Sequence, residues 1–142
     1  MASVSDQRIR VLLADDHPIN RAVVDIILDL IDADLVSVED GAQAVAQFKA
    51  GAFDVVLMDL QMPNMDGLTA IREIRRFEAE NGRAATPIVV VTANAFSEQV
   101  AASREAGADD LISKPIIPDV LLAAIEDLRR RGGDTSQALL TG

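Results

Sequence analysis

Five residues, in four places, have the chemistry and the position to form a reactive site, because each comes directly after an apolar run. Ile9 to Ala14 ends in Asp15-Asp16, Val55 to Met58 ends in Asp59, Ile88 to Val91 ends in Thr92, and Leu111 to Ser113 leads into Lys114-Pro115. A short apolar run bounded by turn residues reads as a buried strand of a parallel sheet. Pro63, Asn64, Asp66 and Gly67 supply such a turn after Asp59. In open α/β sheets, ligands bind beyond the carboxyl ends of the strands. Three carboxylates gathered there would repel one another and tend to retain a proton. A divalent cation relieves that repulsion, and an all-oxygen set with room for water favours Mg²⁺.

The elements that must position these residues follow from the remaining pattern. Pro18 suits a first helical turn, and Ile19, Val23, Ile26, Ile27 and Leu30 then recur at helical spacing as one apolar face. A second strand is predicted at Leu35 to Val38. Asp40 is placed to cap a helix through Ala50, with Val45 and Phe48 inward and Gly51 at its end. A third helix carries Leu68, Ile71, Ile74 and Phe77 and stops at Asn81-Gly82. Ser97 is predicted to cap a short helix ending at Gly107, and a last helix over 117–130 presents Leu121, Ile125 and Leu128. Arg129, Arg130 and Arg131 sit where cations suit a helix C-terminus.

Five strand–helix alternations predict an α/β fold of three layers, a five-stranded parallel sheet with five helices and right-handed crossovers. A strand order of 2-1-3-4-5, adopted from known doubly wound sheets, would set the four strand ends side by side. One domain over 8–131 is expected, followed by a flexible tail over 132–142 in which nothing is periodic.

Composition narrows the functions available. With 142 residues, 49% hydrophobic and 25% charged, the chain can build one ordinary core. A net charge of −10 disfavours direct contact with nucleic acid or an anionic membrane. The absence of cysteine excludes disulfides and thiol catalysis, and a lone histidine, His17, cannot build a His-rich zinc site. No apolar run approaches the roughly 18 residues of a membrane span, and the N-terminus lacks the pattern of a signal peptide. A soluble, cytoplasmic setting is expected.

Taken together, the acidic pair Asp15-Asp16, the run Leu57-Met58-Asp59-Leu60-Gln61-Met62-Pro63-Asn64-Met65-Asp66-Gly67, Val91-Thr92-Ala93 and Ser113-Lys114-Pro115 resemble the receiver domain of two-component response regulators. The likeness covers roughly Ile9 to Arg130. The wording of 15–21 and 92–96 is similar to receivers that belong to, or work with, hybrid histidine kinases. The resemblance implies the receiver fold and makes Asp59 the phosphoacceptor for a phosphohistidine or a small phosphodonor. It implies that Asp16 and Asp59 bind Mg²⁺ (or Mn²⁺) directly, with Asp15 acting mainly through water and Gln61 adding its backbone carbonyl. Lys114 and Thr92 would contact phosphoryl oxygens, as would the backbone at Gln61 and Ala93. The side chains of Gln61 and Asn94 occupy positions that tune dephosphorylation. Implied partners are a histidine kinase or histidine phosphotransfer protein and a downstream protein that reads the phosphorylated state, with 97–130 as the usual contact face. Such a domain catalyses its own phosphorylation and slow dephosphorylation without being an enzyme in the ordinary sense. With no output domain after residue 131, readout is expected through a partner, or the chain is a piece of a larger kinase. One departure concerns the switch: the family commonly has an aromatic residue three places before the lysine, where this chain has Leu111.

Other readings stay beside this one. Asp15 and Asp16 taken alone could cap the following helix, and Thr92 taken alone could be ordinary strand termination. An aspartyl-nucleophile phosphatase would want a second aspartate two residues after the first, where Gln61 stands. A flavodoxin-type carrier would want a Ser, Thr and Gly loop after the first strand rather than Asp15-Asp16. A receiver fold kept only for protein interaction, without phosphorylation, is the runner-up.

Overall fold

The computed structural model describes residues 8–141, with side chains described through 130. Five strands, β1 (Arg10–Ala14), β2 (Asp34–Val38), β3 (Val55–Asp59), β4 (Ile88–Thr92) and β5 (Asp110–Ser113), alternate with five helices. The helices are α1 (Pro18–Asp29), α2 (Gly41–Ala50), α3 (Gly67–Glu80), α4 (Ser97–Ala106) and α5 (Pro118–Thr141). Every strand pair is parallel, and the order is β2-β1-β3-β4-β5. The last helix runs to Thr141, past the end at 130 expected from the sequence; the flexibility expected of 132–142 concerns residues whose side chains are not described. Among the described residues, no helix is long and apolar enough to cross a membrane.

The unbroken apolar runs have a direct cause. Successive strand residues point to opposite faces, and both faces are covered. Val11, Leu13, Val55, Leu57, Val89 and Val91 join Val24, Ile27 and Leu28 of α1 and Leu121, Ile125 and Leu128 of α5 in one core layer. Leu12, Val56, Met58, Ile88 and Val90 join Val45 and Phe48 of α2 and Ala70, Ile71 and Ile74 of α3 in the other. The central strands β3 and β4 are therefore buried along their whole length.

Two further expectations need correction. The apolar face assigned to α1 is only partly the one the core receives: Ile27 is buried and Val23 packs against the core. Ile19, Ile26 and Leu30 are instead 77%, 68% and 72% exposed, and Val24 and Leu28 are buried in their place. Both sides of this helix carry apolar residues at helical spacing, so periodicity alone cannot choose between them. Ser97 does not cap α4 either. Phe96 holds the N-cap position, no side chain caps the helix, and Ser97 is already its first residue. Elsewhere the expected caps are present, with Asp40 accepting from the Gln43 N–H at 2.8 Å and Gly107 ending α4 at φ 118°.

Gly67 marks the tightest approach near the site. A Cβ there would overlap the carbonyl oxygen of Asp59 and lie 2.8 Å from the Leu60 Cα. Gly67→Ala should therefore destabilise the protein by roughly 1–3 kcal/mol, because backbone has to give way. Urea unfolding followed by circular dichroism measures this; a loss below about 0.5 kcal/mol, the usual range of a neutral surface change, would contradict it.

Candidate functional site

All four strand ends identified in the sequence converge at one edge of the sheet. Asp59 is the last residue of β3 and pairs in register with Val91, while Thr92 at the end of β4 pairs with Ser113. The Lys114 N–H donates to the Thr92 carbonyl at 2.8 Å, which ties the lysine's loop to β4. The Lys114–Pro115 peptide is cis. Asp15 follows β1, and its N–H donates to the Val38 carbonyl of β2 at 3.1 Å.

The side chains meet as well. Lys114 Nζ lies 3.2 Å from Asp59 Oδ2 and 3.2 Å from Asp15 Oδ2, so one ammonium is shared between two buried carboxylates. The contact with Asp59 is also a hydrogen bond. Carboxylate oxygens of Asp15, Asp16 and Asp59 all lie within 4.8 Å of one another. Burial pushes the Asp59 carboxyl above the ordinary range, and Asp15 adds to this, against the opposing pull of Lys114. For Lys114, burial acts to lower the pKa, but the carboxylates of Asp59 and Asp15 together leave it raised.

A divalent cation fits this donor set on independent grounds. The buried Asp15 Oδ2 is met by the Lys114 ammonium at 3.2 Å, and the buried Asp16 Oδ1 has no hydrogen-bond partner among the described residues. Buried acceptors are seldom left so, and an ion is one of the few reasons for it. The other Asp15 oxygen accepts from the His17 N–H at 2.9 Å and the Asn20 side-chain amide at 3.5 Å. Asp15 thus steadies the loop to α1 with one oxygen and leaves the other to the cluster, so a capping role alone does not account for it.

The remaining predicted residues are also at or near this edge. Thr92 is buried, and its Oγ1 accepts from the Asn94 N–H at 3.1 Å. The Gln61 N–H approaches Asp59 Oδ1 at 3.4 Å. Ala93 lines an open cleft with His17, Pro18, Ile19, Asn20 and Lys114. Leu111 lies apart from the carboxylates, half-buried against a cavity of about 120 Å³ that it shares with Val100, Ser103, Arg104, Ala108 and Asp110.

The sequence did not reveal the supports. Arg21 donates to the Asp15 carbonyl at 2.8 Å and approaches Glu39 at 3.4 Å. The Asn64 amide donates to Asp40 Oδ2 at 2.7 Å. An arginine six residues after the first aspartate, on the first turns of a helix, was the available signal for the former. For the latter there was none beyond the cap at Asp40.

Comparisons with known proteins agree with this arrangement. Residues 11–126 match the response regulator receiver domain family. The sensor protein GacS of Pseudomonas syringae pv. syringae is 42% identical over 113 residues, covering 80% of this chain and 12% of that protein. The peroxide stress-activated histidine kinase mak1 of Schizosaccharomyces pombe is 40% identical over 75% of this chain and 7% of its own length. The chain thus spans only a small part of the curated relatives it matches. Among solved structures, the receiver domain of a Pseudomonas aeruginosa sensor histidine kinase, described with magnesium in its active site cleft, is 31% identical. It superposes with a TM-score of 0.78 over 86% of this chain and 98% of that one. The Saccharomyces cerevisiae complex of a histidine phosphotransfer protein with the receiver domain of its downstream response regulator matches at 30% identity and a TM-score of 0.80, over 83% of this chain and 86% of that one. With the profile covering most of its length and the strand-end residues gathered as described, this chain belongs to the response regulator receiver domain family.

Proposed function

We propose that this receiver domain accepts a phosphoryl group on Asp59 from a phosphohistidine of a histidine kinase or histidine phosphotransfer protein, and that the modified domain changes its affinity for a partner protein. The observation that carries the reading is Lys114 Nζ at 3.2 Å from both Asp59 and Asp15, with the buried Asp16 Oδ1 close to both carboxylates and without a hydrogen-bond partner. The ammonium is then in place at the acceptor, and the oxygens of Asp15, Asp16 and Asp59, all within 4.8 Å of one another, make the cluster that would take a divalent ion. The P. aeruginosa relative supports Mg²⁺ as that ion, the yeast complex supports a histidine phosphotransfer protein as donor, and the sensor-kinase relatives support membership of a hybrid kinase.

Asp15, Asp16, Asp59 and the Gln61 carbonyl would hold Mg²⁺, which when bound supplies positive charge to the phosphoryl oxygens. An oxygen of Asp59 attacks phosphorus in line with the leaving imidazole nitrogen; the P–O bond forms as the P–N bond breaks. Lys114 keeps one ammonium hydrogen directed at Asp59 and meets the charge on the transferred oxygens. The Thr92 hydroxyl turns its hydrogen to one of them, and the backbone N–H groups of Gln61 and Ala93 serve the others. Ala93 is small and exposed, so the approach stays open. The cavity beside Leu111 gives that side chain room to repack when Thr92 moves, in place of an aromatic ring.

A protein donor also accounts for the exposed apolar residues of α1. Ile19, Ile26 and Leu30 recur at helical spacing and are largely exposed, while Val23 beside them packs against the core. Ile19 belongs both to this row and to the cleft above Lys114. A phosphodonor protein covering this row would lie beside the cleft that Ile19 shares with Lys114.

Incubation with Mg²⁺ and acetyl phosphate, followed by intact mass, tests the reading. A single phosphoryl adduct is expected, lost in alkali, absent without Mg²⁺ and absent in Asp59→Asn. An unmodified wild-type protein would return the chain to the class of interaction modules.

A further inference from the structure

The junction between β2 and α2 contributes no ligand and no contact to the reacting groups, yet three bonds from it secure the two loops that do. The Val38 carbonyl accepts from the Asp15 N–H at 3.1 Å. The Gly41 N–H donates to the Met65 carbonyl at 3.1 Å. Asp40 is 6% exposed and divides its carboxylate, with Oδ1 capping α2 through the Gln43 N–H and Oδ2 accepting from the Asn64 amide at 2.7 Å.

Asn64 needs such a tether. It is exposed and sits at φ 69°, in the left-handed region, which costs an L side chain on the order of 1 kcal/mol. Its loop closes from the Leu60 carbonyl to the Gly67 N–H at 3.0 Å and carries Gln61, whose backbone faces Asp59. The fit against α2 is close, since a Cβ at Gly41 would overlap the Met65 carbonyl oxygen and lie 3.0 Å from its carbon. Hydrogen bonds from the Gln43 N–H and the Asn64 amide hold the Asp40 carboxyl below the ordinary range, so it remains a double acceptor at neutral pH.

We infer that Asp40 is a positioning residue for the acceptor site: acting through Asn64, it fixes the 61–66 loop so that the Gln61 backbone stands where the ion and the phosphoryl group need it. This rests on the function proposed above. Partners that orient a ligand commonly change metal affinity by ten- to a hundredfold when removed, so an effect of about tenfold is expected.

Three variants separate positioning from folding. Asn64→Gly accepts the positive φ and removes only the tether. Asp40→Ser keeps a capping oxygen for Gln43 but is too short to reach Asn64. Asp40→Asn keeps the cap and can still pair with Asn64 once that amide turns over, so it serves as the rescue. The readouts are Mg²⁺ affinity from backbone amide shifts, amide exchange at Met65 and Gly67, adduct formation with acetyl phosphate, and the thermal midpoint. Asn64→Gly and Asp40→Ser should bind Mg²⁺ about tenfold more weakly, exchange faster in the loop and take up phosphoryl more slowly, with Asp40→Asn close to wild type. Wild-type Mg²⁺ affinity and adduct rate in both variants, with only the midpoint lowered, would reduce Asp40 to a helix cap and overturn the inference. A wild-type protein that neither binds Mg²⁺ nor forms the adduct would instead sink the proposed function, and the positioning role with it.

Discussion

Arg75→Ala should cost the protein about 3–5 kcal/mol, roughly a fifth or more of the stability of an ordinary domain. Arg75 lies on α3 with its guanidinium mostly shielded, and it reaches four acceptors. Nε donates to the Gly107 carbonyl at 2.9 Å, Nη1 to the Thr86 carbonyl at 2.8 Å and to Glu78 at 2.9 Å, and Nη2 to Asp109 at 2.9 Å. The last two residues matter unequally. Glu78 is 3% exposed and would be left as a buried carboxylate with only the Thr86 N–H for company. Asp109 is more exposed and still accepts from the Ile88 N–H, so its loss counts for less. The penalty therefore comes mainly from stranding a charge, and a second change should relieve it. Glu78→Gln in the Arg75→Ala background is expected to recover a substantial part of the loss, while Glu78→Gln alone is milder than Arg75→Ala. Urea denaturation of the four proteins in a double-mutant cycle measures the coupling. Additive losses would show that Arg75 matters for its backbone contacts rather than for Glu78.

Lys114→Ala should slow phosphoryl uptake from acetyl phosphate by about a hundredfold or more at saturating Mg²⁺, the scale on which a single preorganised donor to a developing charge acts. Two effects run the same way. The ammonium proposed to meet the transferred oxygens is gone, and the Asp59 carboxyl, already pushed up by burial and by Asp15, loses the cation that holds it down. Lys114→Arg keeps the charge but not the compact point geometry that sits 3.2 Å from two carboxylates at once, and it should recover only part of the rate. Adduct formation timed by intact mass decides this. A rate for Lys114→Ala within about twofold of wild type would remove the lysine from the transfer step, given how large a donor's contribution ordinarily is.

The two variants also test different layers of the molecule. Arg75 binds α3 to the segment before β4 and to the turn after α4, far along the chain from Asp59, so Arg75→Ala should lower stability without altering the order of the acceptor chemistry. Lys114→Ala acts inside the acceptor site itself.

By itself the sequence determined the kind and succession of elements. Runs such as Val55 to Met58 are apolar on both sides because both sheet faces are covered, and that signal is local. It also determined which residues end those strands, and hence the list Asp15, Asp16, Asp59, Thr92 and Lys114. Tertiary structure decided what local pattern cannot encode. Spacing in α1 shows that a helix has an apolar face, but Ile19, Ile26 and Leu30 and the set Val24, Ile27 and Leu28 satisfy the same period. Only the sheet they pack against selects the buried set. Lys114 is 55 residues from Asp59 and Asn64 is 24 from Asp40; such pairs exist only once crossovers and strand order bring distant loops to one edge. The division of one ammonium between two carboxylates, and of one carboxylate between a helix cap and a neighbouring loop, depends on angstrom-scale placement, which packing of the whole core sets and residue type does not.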